Sequence, residues 1–239
     1  MKKQNYYLDN SDMVFHVEKR IDFEKIFSLI SDEEKESFSA TTVEEYKKTC
    51  LDILSSFGEL CANKIAPRAR EVDKNPPKLK DGEVFFADVM KENIKMMYSF
   101  GMNSLSIHPR FGGMGGPFLL EMVGCEVLNR ACPSTMLNAA WHGPIARILI
   151  AYGSPYIIDR FVPSLMAGET SGNMALTEAD TGSDLSAIKT YARRAEGDEE
   201  GVFRLTGEKK FITNGSGELS LVLAKGVSGK QGLEGLSLY

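Results

Sequence analysis

Close to residue 170 the apolar pattern of this chain changes its period, and no single kind of secondary structure accommodates both halves. Before that point apolar residues recur every three or four positions, the spacing of one helix face; after Gly172 they alternate, the spacing of one sheet face. The chain is therefore read as α+β, an all-α N-terminal domain followed by the start of a β domain.

The strongest helical signal is Val43, Tyr46, Cys50, Ile53, Phe57, Leu60 and Ile65. Thr41-Thr42 with Glu44-Glu45 cap it and Pro67 marks its end, which gives about six turns with one buried stripe. Residues 1–40 contain one expected helix, about 22–32, and the acidic run 32–36 reads as a solvated connector. Asn75-Pro76-Pro77 and Asp81-Gly82 mark a loop, and a methionine-rich core helix is expected over 83–100. Further helices are expected at 118–130 and 135–152, the latter closed by Gly153, and from Ser154-Pro155 to about Gly168. The stretch 105–117 holds four glycines but lacks the Lys-Ser/Thr of a phosphate loop, so it reads as a tight connector. Strands are expected at 172–177, 189–195, 201–206, 208–213 and 219–224, with turns at Gly197-Asp198, Gly207 and Asn214-Gly215.

A net charge of −5 gives no electrostatic reason for nucleic acid or an anionic membrane as a partner, and no apolar run reaches the length of a membrane span. Met1-Lys2-Lys3 is followed by no apolar core, so a secretory signal is not expected. Cys50, Cys61, Cys125 and Cys132 lack zinc or redox spacing and read as four buried thiols in a reducing cytoplasm. His16, His108 and His142 are scattered, so no metal site is expected.

Functional chemistry concentrates in 173–184. An apolar run ends in Thr177-Glu178 and passes through small polar residues to Gly182-Ser183-Asp184. A strand leading into such a turn gathers hydroxyls and backbone N–H groups suited to an anionic ligand, though a plain strand-to-loop cap fits equally well. Thr177 and Thr213 also suit ordinary strand positions, Phe211 an ordinary core, and Glu178 and Asp184 turn or cap positions.

Four stretches in order carry a family resemblance: 109–115 (Pro-Arg-Phe-Gly-Gly-Met-Gly), Ala167-Gly168-Glu169, 175–184, and 207–215 (Gly-Glu-Lys-Lys-Phe-Ile-Thr-Asn-Gly). Together they resemble the acyl-CoA dehydrogenase family from about residue 50 onward. The resemblance implies an N-terminal extension (1–40), the family's N-terminal helical domain (41–170) and part of its β-barrel-like middle domain (171–239). It implies FAD as cofactor, an acyl-CoA substrate undergoing α,β-dehydrogenation, and an electron-transfer flavoprotein or similar acceptor. Leu176 and Thr177 would meet the flavin ring edge, with Met174 beside them. Gly182 and Ser183 would lie near the pyrophosphate and the acyl-CoA, and Phe211 against the ring with Ile212 and Thr213 alongside. The family's proline after Thr-Glu is Ala179 here, and Phe211 stands where tryptophan is common.

The family's C-terminal bundle, source of its catalytic glutamate, would follow Tyr239, so no residue here is assigned as the base. The resulting expectation is a chain not competent alone, working as a homo-oligomer or with a separate C-terminal half. An acyl-CoA oxidase or flavin monooxygenase relative, and a non-catalytic remnant or interaction module, remain as alternatives.

Overall fold

In the computed structural model, which describes residues 4–194, 197, 199, 201–227 and 229–239, the apolar stripes of successive helices close over one core. The elements are α1 (Ser11–Phe15), α2 (Phe23–Leu29), α3 (Asp32–Ser37), α4 (Val43–Leu60), α5 (Ala69–Lys74), β1 (Lys78–Lys80), β2 (Glu83–Phe85), α6 (Asp88–Phe100), α7 (Phe118–Ala131), α8 (Pro133–Ala139), α9 (His142–Tyr152) and α10 (Pro155–Ala167). Helix α4 is held at its start by a capping box: Thr42 accepts the Glu45 N–H, and the Glu45 carboxylate accepts that of Thr42. Its buried side presents Tyr46, Cys50, Leu54 and Phe57. Gly58 on the same helix lets the N-terminal segment lie directly across it. The Tyr6 N–H bonds the Gly58 carbonyl at 3.1 Å, and a Cβ at this position would collide with Asn5 and Tyr7. The early residues Tyr7, Met13, Val17, Phe23 and Phe38 are thereby built into the core.

Several expected boundaries fall elsewhere. The segment before residue 40 holds α1 and α3 besides α2; the acidic run forms α3 because Ser31 and Glu34 supply another capping box. Pro67 does not end the long helix. A widened turn (Cys61–Ile65) and a tightened one (Ala66–Arg68) absorb its missing N–H, and the chain continues into α5. Residues 83–85 are strand rather than helix: Asp81 (φ +52°) and Gly82 (φ +82°) form the two-residue turn that hairpins demand, and Leu79 pairs with Val84. The helix expected over 135–152 is two, because Pro144 is tolerated in the first turn of α9 but would clash inside a continuous helix. Ser154 caps α10 through the Ile157 N–H, and Gly168 ends it in the left-handed region. Cys50, Cys61 and Cys132 are buried but Cys125 is only half-buried. Burial pushes the Cys50 and Cys61 thiols up to about 12 and that of Cys125 to about 11.

The chain divides into two compact units, Met1–Glu169 and Thr170–Tyr239. The second is a mixed sheet of β3 (Gly172–Ala175), β4 (Tyr191–Arg193), β5 (Arg204–Thr206), β6 (Leu219–Lys225) and β7 (Leu236–Leu238). Central β6 pairs parallel with β3, Met174 opposite Leu221, antiparallel with β7, and parallel with β4, which pairs antiparallel with β5. The helical unit followed by this sheet is the expected α+β class. Among the described residues, however, 208–213 form no strand: Phe211 (φ +59°) breaks the extended run and leads into the turn at Asn214-Gly215. Ala195 of the expected strand 189–195, Asp198 of the turn Gly197-Asp198, and Met1-Lys2-Lys3 lie outside the described residues.

Candidate functional site

Two segments singled out in the sequence, 173–184 and 207–215, lie side by side in the sheet unit, joined chiefly by side chains. Asn214 donates to the Gly172 carbonyl at 2.9 Å, and Asn173 returns a bond to the Asn214 carbonyl at 3.2 Å. The Lys210 N–H bonds the Thr177 carbonyl at 2.9 Å. The Lys209 ammonium donates to the Leu176 carbonyl and to Glu178 Oε1, both at 3.0 Å.

Glu178 is the anchor of this arrangement. Its carboxylate, 7% exposed, accepts the Lys189 N–H (2.7 Å), the Thr190 N–H (2.9 Å), the Thr190 hydroxyl (2.5 Å) and Lys209. Burial alone would raise its pKa, but the Thr190 hydroxyl, the two N–H groups and Lys209 outweigh it and bring it down to about 2. Beyond it, Glu178 and Thr181 exchange backbone hydrogen bonds (2.8 and 3.2 Å), closing a turn over Ala179-Asp180. Asp184 caps the following short turn through the Ser186 N–H at 2.9 Å.

The expected site residues fall into three groups. Met174, Leu176 and Thr177 are half-buried along and just after β3. Gly182 and Ser183 stand exposed at the loop tip, and a Cβ on Gly182 would meet nothing. Beside them the buried Thr181 hydroxyl has no protein partner. Phe211 is 89% exposed in a left-handed conformation, with Ile212 half-buried and Thr213 exposed after it. The Lys210 bond links Phe211's segment to Thr177; the tip at Gly182-Ser183 is attached through the Glu178–Thr181 turn. An exposed aromatic on a backbone that costs about 1 kcal/mol or more to hold is a surface suited to a planar ring. Sequence reasoning missed Lys209 and the Asn173–Asn214 exchange and took Glu178 for a turn residue. The signal was present only as polar residues within otherwise strand-like runs.

The helical unit has a second polar cluster, where Glu121 on α7 pairs with Arg147 on α9 and with the Ser106 hydroxyl. Glu121, Asn103 and Gly143 border a cavity of about 20 Å3, room for one water molecule and little more. Among the described residues no group of three or more His, Cys, Asp and Glu could hold a metal ion, and no helix is long and apolar enough to cross a membrane.

Comparison with known proteins gives a consistent result. Residues 47–169 match the model for the acyl-CoA dehydrogenase N-terminal domain, and 173–239 that for the acyl-CoA dehydrogenase middle domain. The 3-methylmercaptopropionyl-CoA dehydrogenase of Ruegeria pomeroyi is 32% identical over 191 residues, 78% of this chain and 32% of that protein. Butyryl-CoA dehydrogenase from Megasphaera elsdenii shares the fold, with TM-score 0.67 and 23% identity over 80% of this chain and 47% of that one. So does a glutaryl-CoA dehydrogenase from Mycobacterium smegmatis in complex with FADH2, with TM-score 0.62 and 22% identity over 79% of this chain and 45% of that one. The chain thus spans between about a third and a half of the length of these proteins.

Proposed function

The chain belongs to the acyl-CoA dehydrogenase family, and from that premise we propose that it supplies the helical domain and opening part of the middle domain of an FAD-dependent oxidoreductase acting on the CH–CH group of an acyl-CoA thioester. In this reading residues 41–170 are the helical domain, preceded by an extension, and 171–239 belong to the middle domain. The observation that carries the proposal is Phe211, exposed at positive φ and tied through Lys210 to Thr177.

The residues present fit FAD. Phe211 offers a ring face, the Thr177 hydroxyl and the backbone of Leu176 and Thr177 offer polar groups for the ring edge, and Met174, Ile212 and Thr213 flank them. Gly182 leaves room for a diphosphate to approach the backbone, and the exposed Ser183 brings a hydroxyl to it, Ser183 also serving the acyl-CoA. FAD, when bound, supplies the acceptor for the hydride leaving the acyl β-carbon. The protein's share is to orient: one hydroxyl bond contributes about 1 kcal/mol, and ring stacking about 0.5–1.5 kcal/mol beyond burial. Glu178 is no candidate for proton abstraction, since a carboxylate held at about 2 and spent on four donors is a weak base at neutral pH. An electron-transfer flavoprotein or similar acceptor, a homo-oligomeric assembly and a cytoplasmic location complete the proposal, the last supported by the unpaired thiols.

The test is the visible spectrum of the purified chain after loading with FAD and gel filtration. Retained flavin bands are expected, weakened by Thr177→Ala. A colourless eluate would sink autonomous FAD binding.

A further inference from the structure

We propose that Lys209 is a positioning residue for the flavin, bracing the flavin-facing backbone at Leu176 and Thr177 from behind while Glu178 holds its ammonium in place. This deepens the FAD reading above and rests on it. The segment 207–215 is not a ladder partner of β3, whose paired neighbour is β6. What docks the Phe211 segment beside Thr177 is therefore bonding outside the ladder. Before Phe211 the Lys210 N–H takes the Thr177 carbonyl and the Lys209 side chain takes the Leu176 carbonyl and Glu178, and after it Asn214 takes the Gly172 carbonyl.

The geometry is that of a built clamp rather than a surface pair. The Lys209 side chain is 10% exposed and that of Glu178 7%, and the other bonds to Glu178 come from Lys189 and Thr190, a different part of the chain. One carboxylate thus ties three segments together, and Lys209 is its link to the segment that carries Phe211. Loss of the ammonium frees the Leu176 carbonyl and cuts the tie to Glu178 just before Phe211, while the Lys210 and Asn214 bonds and the strand pairs of β3 with β6 remain.

A plain structural salt bridge would also explain burial and pairing, and the two roles separate by rescue. Replacing both members of a buried ion pair by neutral groups is often harmless to stability, whereas removing one partner is costly. Lys209→Met, Glu178→Gln and the double variant are compared by thermal unfolding, by FAD dissociation constant and by the visible spectrum of bound flavin. Expected is a double variant more stable than Lys209→Met alone that still binds FAD about tenfold or more weakly than the unsubstituted chain, with altered flavin bands. Should Lys209→Met fail to fold, the double variant decides alone. Unchanged FAD affinity and bands in the double variant would overturn the positioning role and leave the FAD reading standing. Failure of the unsubstituted chain to retain FAD would overturn both, so the two failures are distinguishable.

Discussion

The two units of this chain are stabilised by different physics. In the helical unit large apolar side chains vanish from solvent: Tyr46, Leu54, Phe57, Leu120 and Ile145 are at most 1% exposed. In the sheet unit β5 is exposed along its whole length, and the atoms that fix its loops are a carboxylate, an ammonium and two asparagine amides. Non-directional burial tolerates small shifts, whereas a hydrogen-bonded clamp holds atoms at defined positions only while every partner is in place. The candidate site lies in the second kind of structure, which suits a role in positioning a ligand.

The contrast breaks first, and hardest, at Phe57. Its ring packs on Phe100 at 5.1 Å between centroids, and Phe57→Ala should cost about 3–5 kcal/mol through lost burial and the cavity left behind. Urea denaturation followed by helix circular dichroism is the measurement. A loss below about 1 kcal/mol would mean that α4 is not the centre of the core.

Acid should discriminate in the opposite sense, with a smaller effect. Glu178 has its pKa lowered from 4.5 to about 2 in the folded chain, so its contribution is fully present above pH 4.5 and is lost as pH falls through about 2. After allowance for solvent screening this amounts to roughly 2 kcal/mol for the sheet unit. Amide resonances of Lys189 and Thr190, whose N–H groups bond the carboxylate, should titrate together near pH 2. A midpoint close to 4.5 would mean that the clamp does not hold charge as described.

This difference also explains what could be read from the sequence. The stripe from Val43 to Ile65 announced α4 because burial leaves a periodic trace, and Ser154-Pro155 announced α10 because caps are local. The Asp81-Gly82 turn was visible, but the apolar rows that start at Phe85 and Phe86 continue into α6 at helical spacing, through Val89 and Met90, and concealed β2. In 208–213 the strand-favouring residues Phe211, Ile212 and Thr213 read as strand, yet Lys209 turns inward to Glu178, 31 positions away. No periodicity encodes that. The motif residues of the candidate site were legible by resemblance, while the groups that hold them depend on contacts between distant positions.

The smallest expected effect tests whether distance or burial ranks these polar contacts. Lys189 and Asp180 approach to 2.8 Å, closer than Lys209 and Glu178 at 3.0 Å, but their side chains are 74% and 73% exposed against 10% and 7%. The Lys189 ammonium lowers the Asp180 pKa, and Asp180 in turn raises that of Lys189, yet water competes for both groups. Asp180→Asn should therefore leave the unfolding midpoint of the sheet unit where it is. Any small effect should disappear in about 1 M salt, where charges are screened over about 3 Å. A loss comparable to that from removing the Glu178 charge would show that the Ala179-Asp180 turn is held by its ion pair. The backbone exchange between Glu178 and Thr181 would then be too weak to keep the loop tip in shape without it.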